Sequence, residues 1–354
     1  MESANITKMS EIDERSKRIL WAIIESYIAS NGPIGSRTIM KKYSIGLSSA
    51  TIRNTMADLD ELGYVNQPHT SAGRIPTERG YRFYVNTLLK ERYFHINKKM
   101  FQHLADRLRT IEKDINKLLE ETSKTLSAFS HYLGVATAPK EEEIVLEHIE
   151  FIPHKKNKIL CVLISKEEMV KNKVITLEEN IFTQSQLHKI TKYLNNIFNG
   201  LTLREIRVKI ISQMSQEKVI CDKLINNALI LCKKVLELEG ENMFYAGQIY
   251  GACNLPDFAT MQQIKELFRV IEEKHFMVKL LDKIAESDGV QVLIGSENII
   301  SEMKGLSLVA STYNDGRRTL GAIGIIGPTS MNYEKVIPIV NYTATTLTQI
   351  LSER

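Results

Sequence analysis

Apolar residues at Ile19, Ile23, Ile24, Tyr27 and Ile28 follow the three-and-four spacing of one buried helix face. Ser10 with Asp13 three residues on is a loose capping box that can open this helix, and Asn31-Gly32-Pro33 stops it. A short helical segment follows near Arg37 to Tyr43, then a turn at Ser44-Ile45-Gly46-Leu47. Ser48 or Ser49 can cap a third helix whose inward face is Ile52, Met56 and Leu59, extended at its end by Leu62. Gly63 ends that helix. Tyr64-Val65 reads as a short strand and Gln67 to Thr77 as a turn-rich excursion with two prolines and a glycine. Thr77 then caps a further amphipathic helix through Tyr81, Tyr84, Val85 and Leu88.

Phe101, Leu104, Leu108, Ile111, Ile115 and Leu118 alternate threes and fours, which predicts one helix from about Asn97 to Tyr132. A coiled-coil dimer arm and a helix packed within its own domain both satisfy that spacing. Beyond Pro139, the runs Ile144–Ile152, Lys158–Ile164 and Val170–Leu177 are β-rich and separated by polar turns, as in antiparallel hairpins. Helical periodicity returns over Thr183–Leu238 and again over Thr260–Leu281, where Ile264, Leu267, Phe268 and Ile271 share a face. Strands are expected at Val290–Ile294, Leu306–Tyr313 and Leu320–Ile326, and a last helix from about Tyr333 to Leu351. This order suggests one α+β domain interrupted by a mainly helical insertion. Within the insertion Leu224, Ile225, Leu229, Leu231, Val235 and Leu238 are the candidate dimer surface.

The 354 residues are 43% hydrophobic and 25% charged, ordinary globular proportions that exclude collagen-like, disordered and disulfide-scaffold classes. Purely aliphatic stretches such as Ile159–Ile164 stop far short of the about 20 apolar residues of a membrane span. The polar, acidic stretch from Met1 to Glu14 does not resemble a secretory signal, so a cytoplasmic protein is expected. The net charge of +4 is small, so any nucleic-acid binding must come from a local patch. Cys161, Cys221, Cys232 and Cys253 contain no C-x-x-C pair or metal-ligand spacing, and are expected to pack as small hydrophobes. Gly321, Gly324 and Gly327 do not have the dinucleotide spacing, and no Walker A, G-x-S-x-G or H-E-x-x-H run is present. No enzymatic activity, metal or cofactor is expected.

Three short helices, a strand and a turn-rich excursion within about 80 residues form the layout of a winged helix-turn-helix. With Ile52, Met56 and Leu59 inward, the third helix presents Ala50, Thr51, Arg53, Asn54 and Ala57 outward. Arginine can donate twice to guanine, asparagine can pair with adenine, and small methyl-bearing residues can meet thymine. The excursion reads as the wing, where hydroxyls and Arg74 can contact phosphate, or Arg74 can enter the minor groove. Between residues 36 and 82, seven basic residues (Arg37, Lys41, Lys42, Arg53, Arg74, Arg79, Arg82) stand against Asp58, Asp60, Glu61 and Glu78, a local +3.

Four segments in this region are more specific: Pro33-Ile34-Gly35-Ser36-Arg37, Ser48-Ser49-Ala50-Thr51-Ile52-Arg53-Asn54, Leu62-Gly63-Tyr64-Val65, and Ser71 through Arg82. Together with Gly289–Asn298, Ser307-Leu308-Val309-Ala310, Gly324–Thr329 and Tyr333–Ile337, they resemble the HrcA family of bacterial heat-inducible transcription repressors. The resemblance implies a multidomain α+β chain: a winged helix-turn-helix DNA-binding domain over 1–95, a GAF-like α+β domain over 96–180 and 286–354, and an inserted, mainly helical dimerisation domain over 181–285. It implies a homodimer on double-stranded DNA at a CIRCE-type inverted-repeat operator of class I heat-shock operons, with the GroEL chaperonin promoting the active repressor. Arg37, Thr38, Ser48, Ser49, Thr51, Arg53, Asn54, His69, Arg74 and Arg79 are the DNA-binding candidates. The alternative is a ligand-sensing winged-helix regulator that uses the GAF-like domain. Two features depart from the family pattern: Ser330, where arginine is usual, and the short Asn254–Asp257 segment.

Overall fold

A computed structural model describes residues 12–91, 98–111, 115–139, 144–155, 157–166, 169–176, 182–215, 244–247, 289–298 and 303–353, with isolated positions at 231, 269, 280, 281, 284 and 287. The N-terminal module opens with α1 (Glu14–Ser30), α2 (Ser36–Lys42) and α3 (Ser49–Glu61). A two-stranded ladder, β1 (Val65–Asn66) with β2 (Ile75–Pro76), and α4 (Glu78–Glu91) complete it. Ser10 lies outside the described residues; the observed cap of α1 is Asp13, whose carboxylate accepts the Ser16 N–H at 2.8 Å. Asn31 ends the helix in the left-handed region (φ 51), its N–H returning to the Tyr27 carbonyl at 2.7 Å. Ile19, Ile23 and Ile24 of α1, Ile39 of α2, Ile52 and Leu59 of α3, and Val85 and Leu88 of α4 are all fully buried. They give the module a core of its own within the continuous apolar interior of the chain.

After the module come α5 (Lys98–Arg109), α6 (Ile115–Ser130), β3 (Leu133–Thr137), β4 (Leu146–Lys155), β5 (Lys158–Ser165), β6 (Val170–Thr176), α7 (Gln184–Phe198) and α8 (Leu203–Ser215). The remaining described elements are β7 (Phe244–Ala246), β8 (Gln291–Ile294), β9 (Leu306–Asn314), β10 (Thr319–Pro328) and α9 (Tyr333–Ser352). Five strands form an antiparallel sheet in the order β7-β3-β10-β9-β8. Helices α6 and α9 pack on this sheet and on each other, and α5 rests on both. Tyr313 crosses the sheet interior to donate to the Thr137 carbonyl at 2.7 Å, so its buried hydroxyl is satisfied.

The single long helix expected from Asn97 to Tyr132 is two helices. The chain turns at Thr110–Ile111, and Arg107 of α5 meets Glu121 of α6 at 3.3 Å. Phe101 stacks near Tyr342 of α9 with ring centroids 4.5 Å apart, so the heptad-like stripe is covered within the chain. Between the two readings of that stripe, packing in the protomer is the observed one.

Strands β4, β5 and β6 pair among themselves and not with the five-stranded sheet. Helix α7 covers them: the Asn195 amide accepts the Ile149 N–H and donates to the Ile149 carbonyl, both at 2.8 Å. A boundary between 180 and 181 therefore passes through one packed unit. The Asn195–Ile149 bonds join β4 to α7 across that expected boundary. Of the candidate dimer surface, Leu231 is buried, while Leu224, Ile225, Leu229, Val235 and Leu238 lie outside the described residues. The helix expected over Thr260–Leu281 also falls largely outside them.

Candidate nucleic-acid interface

Helix α3 begins with a complete cap. Ser48 accepts the Thr51 N–H on its hydroxyl at 3.1 Å, and the two hydroxyls lie 2.9 Å apart. Ser36 Oγ sits 3.1 Å from Ser49 Oγ, which brings the first turns of α2 and α3 together. Arg37 and Thr38 are exposed beside that junction. Ile52, Thr55, Met56 and Leu59 are buried and anchor α3 in the module. Ala50, Arg53 and Asn54 are exposed and Thr51 is half-buried, so the polar face turns to solvent. Leu62 is 39% exposed at the C-terminal cap and does not extend the inward face. An α-helix about 10–12 Å across enters a major groove about 12 Å wide only if such a face carries its contacts.

The excursion from Gln67 to Arg74 is a hairpin loop tied to the module at both sides. Ile34 and Arg74 exchange backbone hydrogen bonds, each 2.8 Å. A Cβ at Gly73 would overlap the Ile34 carbonyl, so this approach requires glycine. The Gln67 amide donates to the carbonyls of Thr70 and Ala72, both at 3.0 Å, and braces the loop from within. His69 is exposed at its tip.

The arginines divide sharply. Arg74, expected on phosphate or in the minor groove, is only 15% exposed and pairs with Asp60 of α3 at 3.1 Å. Its guanidinium ties the loop to α3. Arg82 is held by Glu297 and the Val292 carbonyl, and so leaves the local basic patch. Arg79 is exposed, with its guanidinium 4.7 Å from the centroid of the buried Tyr64 ring, a cation–π contact that orders it. Arg37, Lys41, Lys42 and Arg53 are also exposed, so between residues 36 and 82 the solvent-facing cations come from α2, α3 and the start of α4.

Spacing along the chain did not reveal Asp60, Glu78, Arg82 and Glu297 as partners. Glu297 lies 215 residues from Arg82 in sequence. Among the described residues no cluster of His, Cys, Asp and Glu could hold a metal ion. No helix among them is long and apolar enough to cross a membrane. Cys161 is buried, and burial pushes its thiol up to about 12; the other three cysteines lie outside the described residues.

The family model described as HrcA protein C terminal domain matches residues 116–337. A heat-inducible transcription repressor HrcA of Geobacter sulfurreducens is 43% identical, over 97% of this chain and 99% of its own length. Its counterparts in Thermodesulfovibrio yellowstonii and Syntrophobacter fumaroxidans are 38% and 37% identical, over 97% and 98% of this chain and 99% of each relative. Among solved structures, a hypothetical protein determined at 2.2 Å resolution superposes with a TM-score of 0.64. It is 21% identical, covers 97% of this chain and 99% of its own, and shares the fold. The chain belongs to the HrcA family of heat-inducible transcription repressors.

Proposed function

We propose that this chain represses class I heat-shock (chaperone) operons by binding, as a homodimer, a CIRCE-type inverted-repeat operator. The observation that carries this reading is α3: a capped helix anchored by Ile52, Met56 and Leu59, with Arg53 and Asn54 exposed on its free face. In this reading residues 12–91 are a winged helix-turn-helix, α3 reads bases in the major groove and the 67–74 loop is the wing. Arg37, Thr38, Ser48, Ser49 and Arg79 lie where phosphate contacts would position the helix, and His69 at the wing tip reaches outward. One recognition helix reads only a few base pairs, so specificity against a genome requires two half-sites and hence a dimer. The repressor acts in the cytoplasm, without enzymatic activity or a cofactor.

The GroEL chaperonin fits this scheme as the agent that returns misdocked chains to the DNA-competent state. A ligand that binds both states equally would not shift that balance. The ligand-sensing alternative is the weaker reading, because large side chains occupy the interior between sheet and helices. Tyr313, Tyr333, Val309, Ile323 and Ile325 are all fully buried there.

Footprinting on the host's own chaperone promoters tests the proposal. A protected two-fold symmetric site, with a dimer by light scattering at micromolar concentration, is the expected result. A monomer with and without DNA, or no protected repeat, overturns it. Incubation with functional chaperonin and ATP should raise the active fraction at temperatures where binding otherwise decays.

A further inference from the structure

We infer that helix α4 and the turn at residues 292–297 form a latch that holds the DNA-binding module in one pose and so sets the half-site spacing the dimer accepts. The inference rests on the reading of the chain as a dimeric operator-binding repressor. Helix α4 has two faces with different duties. Tyr84, Val85 and Leu88 are buried, Val85 and Leu88 completely, and join α4 to the core shared with α1 and α3. Glu78 and Arg82, one turn apart on another face, reach across to the end of β8.

The contacts there are specific. The Glu78 carboxylate accepts the Ser296 N–H at 3.1 Å and also the Ser296 hydroxyl. Arg82 Nε donates to Glu297 Oε1 at 2.7 Å, while Nη2 donates to the Val292 carbonyl at 2.7 Å and to the second Glu297 oxygen. A two-pronged guanidinium–carboxylate pair fixes orientation as well as distance. Glu297 also accepts the Ile294 N–H at 2.9 Å, so the turn that presents it is itself held. Gly295 sits at φ 51, and a Cβ there would overlap the Glu78 carboxylate. Between the two polar contacts Tyr81 packs against Tyr333 of α9, with ring centroids 6.0 Å apart. All three attachment points, Glu78, Tyr81 and Arg82, lie within the first five residues of α4 and fix that end of the helix.

The geometry converts small tilts into operator register. Helix α4 has 14 residues and is about 21 Å long at 1.5 Å per residue. A tilt of about 10° moves its far end by about 3.6 Å, close to the 3.4 Å rise per base pair. Because α3 shares the module's core with α4, the recognition surface moves with it. Glu78, Arg82 and Glu297 are therefore positioning residues that act on DNA through the pose of α3.

The test measures binding to a series of operators whose spacer is lengthened or shortened by one or two base pairs. The wild-type chain should prefer one spacing by roughly tenfold or more, and Arg82→Glu should reduce that preference to roughly threefold or less. The charge-reversed pair Arg82→Glu with Glu297→Arg should sharpen it again. A merely structural role would lower affinity at every spacing equally. Gly295→Ala provides a second opening of the same latch, with thermal unfolding and light scattering confirming a folded dimer. A DNA-free readout accompanies these measurements. Spin labels at Glu61→Cys and Thr345→Cys, in a chain with its four native cysteines replaced and diluted with unlabelled chain, report the distance from module to body. That distribution should be narrow in the latched chain and broad in Arg82→Glu. An unchanged spacing preference and an unchanged distribution in a folded Arg82→Glu variant overturn the latch. If the wild-type chain binds no inverted repeat, the operator reading fails, and the distance distribution alone decides the latch.

Discussion

Helices α3 and α4 belong to one module and both carry arginines, yet they use them in opposite ways. Arg53 on α3 is exposed, whereas Arg82 on α4 is clasped by Glu297 and the Val292 carbonyl. Arg74, at the end of the loop between them, is tied to Asp60. A guanidinium with free donors can meet a base edge or a phosphate. One whose donors are taken by a carboxylate sets the position of its neighbours instead. A count of basic residues therefore overstates the cationic surface open to solvent, and accessibility separates the exposed arginines from the struts.

The largest effect should come from the exposed face of α3. Arg53→Ala or Asn54→Ala is expected to cost about 1–3 kcal/mol per half-site, so about 2–6 kcal/mol on a symmetric operator, with random DNA little affected. Binding isotherms on operator and on scrambled DNA give the comparison, and equal losses on both would remove α3 from the role of reader. Next comes the tied arginine. Arg74→Ala leaves the part-buried Asp60 carboxylate without its partner and should lower unfolding stability by about 1–3 kcal/mol. Chemical denaturation measures it, and a stability unchanged beside a loss of operator affinity would return Arg74 to the DNA contacts.

Smaller effects sharpen the line between readout and phosphate contact. Arg37→Ala or Arg79→Ala should weaken operator and random DNA alike and reduce the slope of log K against log salt by about 1 per half-site, so about 2 for the dimer. A salt titration with both DNAs decides it, because a base-reading residue would change their ratio. Ser48→Ala removes the α3 cap and should cost about 1 kcal/mol of stability. Its midpoint shift in thermal unfolding should be the smallest of the series.

Much of the module was legible in sequence because its signals are local. The apolar spacing of α1, the serine cap of α3 and the Gly63 stop each act within a few residues. The strands at 291–294, 306–314 and 319–328 and the last helix also fall within a few residues of their expected limits. Strands β3 and β7 were not anticipated. The Leu133–Thr137 strand follows directly on a helical stripe, and Phe244–Ala246 is only three residues long, so neither offers a period to read. The break between α5 and α6 was hidden by a continuous apolar stripe, since two helices folded back on each other keep the same spacing as one.

For the candidate interface, the sequence by itself determined which helix turns Arg53 and Asn54 outward, because burying Ile52, Met56 and Leu59 leaves them no other side. It also determined the family, through motifs distributed over nearly the whole chain. Only the tertiary structure decided which arginines remain free. Asp60 meets Arg74 through the return of the 67–74 loop, and Glu297 meets Arg82 across 215 residues. Ion-pair partners are chosen by proximity in space, and proximity between distant segments depends on how the sheet, the helices and the module pack, which no local spacing records.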